Sequence, residues 1–132
     1  MSTLLKVDGL TARYGSNVVL QDVGMELRKG EVLGVVGPSG SGKSSLLRAL
    51  VGLLAHDAGT VAIDGEAVNY KDRASLARAR DRIAIVFQQF NLFQNMTVLR
   101  NVTLAPLIVK KREQAEVEAR AVELLKSVGL AH

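Results

Sequence analysis

Residues Gly37-Pro38-Ser39-Gly40-Ser41-Gly42-Lys43-Ser44 carry the spacing of a phosphate-binding loop: a glycine, four residues, then Gly-Lys-Ser. Each residue type has a reason to be there. Glycines let the backbone turn so that its N–H groups converge on phosphate oxygens with no Cβ in the way. A helix opening near Lys43 adds free N–H groups and the positive end of its dipole. Lys43 supplies a compact cation for the β- and γ-phosphates. The Ser44 hydroxyl is the expected oxygen ligand of Mg²⁺ beside them.

The pattern demands a strand before the loop and a helix after it. Val32-Leu33-Gly34-Val35-Val36 is a continuous apolar run, which predicts a strand buried on both faces. From Lys43 to Leu54, Leu46, Leu47, Leu50, Val51 and Leu54 recur at helical spacing. Ahead of the loop, residues 4–7, 10–14, 18–20 and 23–27 read as short antiparallel strands. Turns at Asp8-Gly9 and Gly15-Ser16-Asn17 separate them. Beyond it, residues 60–63 and 66–69 form a predicted hairpin around Asp64-Gly65, preceded by a turn at His56-Asp57-Ala58-Gly59. Residues 72–81 predict a polar helix, 83–87 a second buried strand and 88–96 a loop. Thr97 should cap a helix through Val109. A last helix, from Arg112 to Val128, should bury Ala115, Ala119, Val122 and Leu125, pair Glu116 with Arg120, and end at Gly129.

Composition narrows the classes. The 132 residues are 48% hydrophobic and 23% charged, with 12 Gly and 2 Pro, which excludes wholesale disorder and low-complexity chains. There are no cysteines, so disulfides, thiolate metal sites and Cys nucleophiles are excluded together. The net charge of +4 comes without a basic block, and aromatics are only 4%, so no nucleic-acid partner is expected. No run reaches about 18 apolar residues, and early charges interrupt any secretory apolar core.

With the loop placed, the chain resembles over nearly its whole length the ATP-binding subunit of an ABC transporter. Gly30-Glu31 followed by Gly37 to Ser45 looks like that family's Walker A region. Tyr14, in Arg13-Tyr14-Gly15, matches the aromatic position that stacks on adenine. Val86-Phe87-Gln88-Gln89-Phe90-Asn91-Leu92-Phe93 looks like the Q-loop, in which Gln88 would touch Mg²⁺ and the attacking water. The wording from Phe87 to Phe93, then Met96-Thr97-Val98-Leu99, is most similar to importers of polar amino acids. Gln94 and Asn95 stand where Pro and His are common, and Arg100 where Glu is.

The resemblance implies an α/β P-loop NTPase fold, with an N-terminal antiparallel β subdomain and a core built on a partly parallel sheet. It implies ATP and Mg²⁺ as cofactors, with Lys43 and Gln88 as catalytic residues and Ser44 and Gln88 on the metal. Tyr14, Gly37, Pro38, Ser39, Gly40, Ser41, Gly42, Lys43, Ser44 and Ser45 would hold the nucleotide. Membrane subunits would dock through residues 88–97, a homodimer or a paired nucleotide-binding subunit would complete the site in the full-length protein, and the assembly would sit on the cytoplasmic face of the membrane. The family's signature stretch, Walker B acids and switch histidine are not found in residues 1–132. Asp64 reads as a hairpin residue, and His56 and His132 as surface residues. The expectation is therefore the N-terminal part of one nucleotide-binding domain, incomplete at its C-terminus. Alone it should bind ATP without turning it over, expose an apolar sheet edge, and unfold with less than about 5 kcal/mol.

Overall fold

The computed structural model describes residues 2–130, so His132 lies outside the described residues. The chain divides into two units, one ending at Val86 and the other beginning at Phe87.

The first unit is built on two long strands, β1 (Thr3–Tyr14) and β2 (Asn17–Arg28), joined by a tight turn at Gly15-Ser16. The predicted break at Asp8-Gly9 is instead a bulge. Gly9 takes φ +61° and Asp22, facing it, φ +48°, and the register shifts between Val7 and Leu10. Each irregularity absorbs extra residues while the strands continue. β3 (His56–Ile63) pairs on the other edge of β1, and β4 (Glu66–Ala67) completes an antiparallel sheet in the order β2-β1-β3-β4. His56 thus opens a strand rather than lying in a turn. The reason is Gly59: its backbone passes so close to β1 that an added Cβ would stand 2.5 Å from the Gly9 carbonyl oxygen. The Asp64-Gly65 hairpin turn forms as expected, with both residues at positive φ.

α1 (Lys43–Leu50) lays Leu46, Ala49 and Leu50 on the sheet, against Val7, Leu10, Ala12, Leu20 and Val61. It ends four residues before the apolar pattern does. Gly52, at φ +77°, donates to the Ala49 carbonyl while Leu53 donates to that of Arg48, the paired bonds of a Schellman cap. Val51 and Leu54 are still buried beyond the helix end, which is why periodicity overran it. α2 (Arg73–Arg82) is capped by Asp72, whose carboxylate accepts from the Ser75 N–H. Its arginines dock it: Arg80 donates to the Val51 carbonyl at 2.9 Å, and Arg82 to that of Ile63 at 3.4 Å.

The two runs expected as buried strands differ most from expectation. Residues 32–36 and 83–87 join no strand among the described residues, and Val32, Val36 and Val86 are 96%, 93% and 93% exposed. The parallel part of the expected sheet is therefore absent among the described residues. An apolar sequence can favour extended backbone, but a strand needs a neighbour to exchange hydrogen bonds with.

The second unit holds α3 (Val98–Ile108) and α4 (Gln114–Ser127). Thr97 caps α3 by accepting from the Arg100 N–H at 3.1 Å. α4 buries Val117 and Ala121, with Leu125 half-buried, whereas Ala115, Ala119 and Val122 are exposed. The buried stripe is thus rotated from the expected one, because the face that meets α3 is chosen by packing and not by α4 alone. Arg120 pairs with Glu123 at 2.8 Å rather than with Glu116. Gly129 ends α4 at φ +81°, with its N–H on the Lys126 carbonyl and that of Leu130 on Leu125, a second Schellman cap. No helix of the described residues is long and apolar enough to cross a membrane.

Candidate functional site

The glycine-rich loop is shaped by contacts that only glycine allows. Gly40 and Gly42 take φ +81° and +101°. A Cβ on Gly42 would stand 2.7 Å from the Val19 carbonyl oxygen, and one on Gly37 would stand 2.8 Å from Ser41 Oγ. The loop is thus pressed against β2 at one end and folded on itself at the other. The Ser41 N–H donates to the Pro38 carbonyl at 3.2 Å, which closes the turn.

Lys43 is the first residue of α1, and its side chain curls back into the loop. The ammonium donates to the Gly37 carbonyl at 2.5 Å, to the Pro38 carbonyl at 2.8 Å and to Ser41 Oγ at 3.3 Å. Gly42, the cap residue, has no side chain to satisfy the N–H groups of the first turn, and that turn carries no acidic residue. The positive end of the helix, its free donors and a lysine cation therefore converge on one concave backbone segment. Such an arrangement binds a polyanion. Ser44, exposed at the second helical position, presents a hydroxyl there, and Ser45 is half-buried behind it.

Tyr14 ends β1 and pairs with Asn17 across the hairpin; it is 47% exposed. β2 passes from this hairpin end to Gly42 at Val19, so the tyrosine stands on the strand pair that supports the loop. Of the sequence-derived residues, Gly37, Pro38, Ser41 and Lys43 are thus joined by direct contacts. Asp64, the terminal acid of β3, pairs with Lys29 at 3.6 Å on the hairpin.

Gln88 belongs to the second unit, in an exposed bend followed by Phe90, Leu92 and Phe93, all exposed. One residue that organises this stretch escaped sequence reasoning. Asn101, in α3, accepts from the Phe93 N–H at 2.8 Å and donates to the carbonyls of Thr97, Phe93 and Met96 at 2.9, 3.1 and 3.3 Å. Asparagine four residues after a Thr cap is the sequence signal, since its amide can both accept and donate.

Comparison with known proteins identifies the family. Residues 20–132 match the family described as ABC transporter. The chain is 41% identical to an arginine transport ATP-binding protein of Corynebacterium glutamicum, over 90% of this chain and 50% of that one. It is also 41% identical to the glutamate/aspartate import ATP-binding protein of Escherichia coli K12, over 97% of this chain and 53% of that protein. An L-cystine import ATP-binding protein of Bacillus subtilis is 38% identical, with 96% and 53% covered. Among solved structures, an ATP-binding cassette in a dimeric post-hydrolysis state with ADP and Pi superimposes with a TM-score of 0.78 at 38% identity, over 93% of this chain and 56% of that one. The cbiO1 protein of Clostridium perfringens, part of the ABC transporter complex cbiONQ, gives 0.81 at 29% identity, over 100% and 53%. The chain spans about half the length of the curated relatives it matches.

Proposed function

The chain belongs to the ABC transporter family, and on that premise we propose that it is the ATP-binding part of a transport ATPase that powers import of a small solute, a polar amino acid, across the cytoplasmic membrane. One observation carries the reading. The Lys43 ammonium is gathered among Gly37, Pro38 and Ser41 at the uncapped start of α1.

The residues present fit ATP, because Gly40 and Gly42 hold the loop at positive φ while the Lys43 ammonium and the uncapped start of α1 converge on it. In this reading the backbone N–H groups from Gly40 to Ser45 receive the phosphate oxygens, with Pro38 and Ser39 shaping the approach. Lys43 would hold the β- and γ-phosphates, charged acceptors in place of the neutral loop carbonyls. Tyr14 stacks on adenine. Ser44 and Gln88 would each serve as a ligand of Mg²⁺, which would neutralise phosphate charge. Gln88 also orients the attacking water through its amide.

The exposed Phe90, Leu92 and Phe93, on the stretch that Asn101 fixes, support docking of membrane subunits through residues 88–97. The dimeric relative supports a paired nucleotide-binding subunit that closes the site. Both support a position at the cytoplasmic face of the membrane. The amino-acid substrate rests on relatives named for arginine, glutamate/aspartate and cystine.

A second reading concerns the 132-residue chain by itself: a module that binds ATP without turnover. Asp64 favours it, since this acid sits in a hairpin and on Lys29. No other acidic residue ends an apolar run in the sequence as a Walker B acid would. Fluorescent-nucleotide binding beside a phosphate-release assay separates the two. Binding without release is the expected result for this chain, and Lys43-dependent release would refute it.

A further inference from the structure

The second unit separates its charges along the chain. Between Phe87 and Arg112 the sequence holds four cations, Arg100, Lys110, Lys111 and Arg112, and no acid. The acids of that unit, Glu113, Glu116, Glu118 and Glu123, begin where α4 begins. Two of them are occupied within α4: Gln114 donates to Glu118 at 2.9 Å, and Arg120 pairs with Glu123 at 2.8 Å. Three of the four cations fall together in the connection from α3 to α4.

That connection is a fixed turn. The Val109 N–H donates to the Ala105 carbonyl at 2.8 Å, and the Arg112 N–H to that of Pro106 at 3.1 Å. Lys111 takes φ +51°, a left-handed conformation that suits glycine or asparagine and strains a lysine. Strain of this kind marks positions whose side chain is put to use. Lys110, Lys111 and Arg112 are all exposed, and directly before them Ile108 and Val109 are 60% and 72% exposed. Aliphatic side chains beside long cationic ones suit the boundary between water and hydrocarbon. The first enter the acyl region, while the second keep their charges at the level of the phosphates.

We propose that the turn at residues 108–112 is a contact for an anionic lipid surface. Headgroup phosphates meet Lys110, Lys111 and Arg112, while Ile108 and Val109 enter the interface. Glu116 and Arg120 share a groove with Arg112, so the nearest acid is matched by a further cation. Each cation near an anionic bilayer strengthens attachment about fivefold, so the contact is weak and reversible by itself. It adds to docking through residues 88–97 without replacing it. It needs neither nucleotide nor a membrane subunit, and so stands apart from the ATP reading.

The test is sedimentation of the 132-residue chain with vesicles of phosphatidylcholine, alone or mixed with about one third phosphatidylglycerol. The expected result is binding to the anionic vesicles that falls about tenfold or more between about 0.05 and 0.5 M salt. The double substitution Lys111→Gln and Arg112→Gln should weaken binding about tenfold or more. Ile108→Ser with Val109→Ser should weaken it about fivefold at unchanged charge. All four side chains are exposed, so circular dichroism should be unchanged by either pair. Lys43→Ala should bind the vesicles as the parent does, which separates the turn from the glycine-rich loop. Equal binding to neutral vesicles overturns the proposal, as does binding that ignores both pairs of substitutions or is lost in Lys43→Ala. No binding to the anionic vesicles at low salt overturns it as well. Soluble polyglutamate held as tightly as the vesicles would replace the lipid by an acidic protein segment and overturn it too.

Discussion

The Lys43 ammonium donates to the Gly37 carbonyl at 2.5 Å, closing the glycine-rich loop around its own cation. That contact depends on the backbone path set by Gly42, whose φ of +101° and approach to Val19 leave no space for a side chain. Gly42→Ala should therefore cost about 1–3 kcal/mol of stability and abolish nucleotide binding, since it meets strain and a backbone collision together. Gly40→Ala meets strain alone, with nothing within 4 Å of the new Cβ, and should cost only about 1 kcal/mol. Urea unfolding of the two variants checks the order.

Tyr14 should matter for the base and not for the phosphates. Tyr14→Ala is expected to weaken ATP binding about tenfold, the scale of about 1.4 kcal/mol for a lost stacking contact. Binding of inorganic triphosphate should be unchanged. Competition titrations with both ligands measure this, and equal losses for the two would place Tyr14 elsewhere than on adenine.

Asn101 predicts a local effect. Asn101→Ala removes one acceptor and the donors to three carbonyls, so amide exchange at Phe93 and along residues 93–97 should rise by an order of magnitude or more. Asn101→Asp keeps the acceptor for Phe93 and loses every donor, so it should protect the Phe93 amide while failing to restore the rest. Hydrogen exchange read peptide by peptide distinguishes the three proteins.

Tyr70 gives a pH signature. Its hydroxyl donates to the Leu50 carbonyl at 2.9 Å, and burial pushes its pKa up from 10 to about 12. The unfolded chain ionises first, so this tyrosine's contribution is whole below pH 10 and is lost between pH 10 and 12. Tyr70→Phe should flatten the fall of the urea midpoint across that window relative to the parent. Identical slopes would show that Tyr70 ionises as freely in the folded chain as in the unfolded one.

Several of these residues were legible in the sequence, because their chemistry is local. Thr97 caps α3, Gly129 ends α4 and Asp64-Gly65 turns the hairpin, each through bonds within about four residues of itself. Gly9 was not, since a positive-φ glycine serves a turn or a bulge equally well. Its close approach to Gly59, fifty residues on, decides between them. Gly52 carried a readable stop for α1, but apolar residues continuing to Leu54 hid it. For residues 32–36 the sequence states the preference for extended, buried backbone. Burial itself depends on neighbours that the described residues do not contain. In the candidate site, the Gly37 to Ser44 cradle could be read from its spacing, whereas Asn101 required the loop that it holds.

Titration of Mg-ATP into the 132-residue chain by isothermal calorimetry, beside its Lys43→Ala variant, tests the central claim most directly. The predicted result is saturable binding at one site by the parent and a loss of about a hundredfold or more in the variant, because the phosphates lose the lysine cation gathered in the loop. Equal binding by the two proteins, or none by a parent whose circular dichroism shows it folded, would contradict the assignment of the glycine-rich loop as the ATP site.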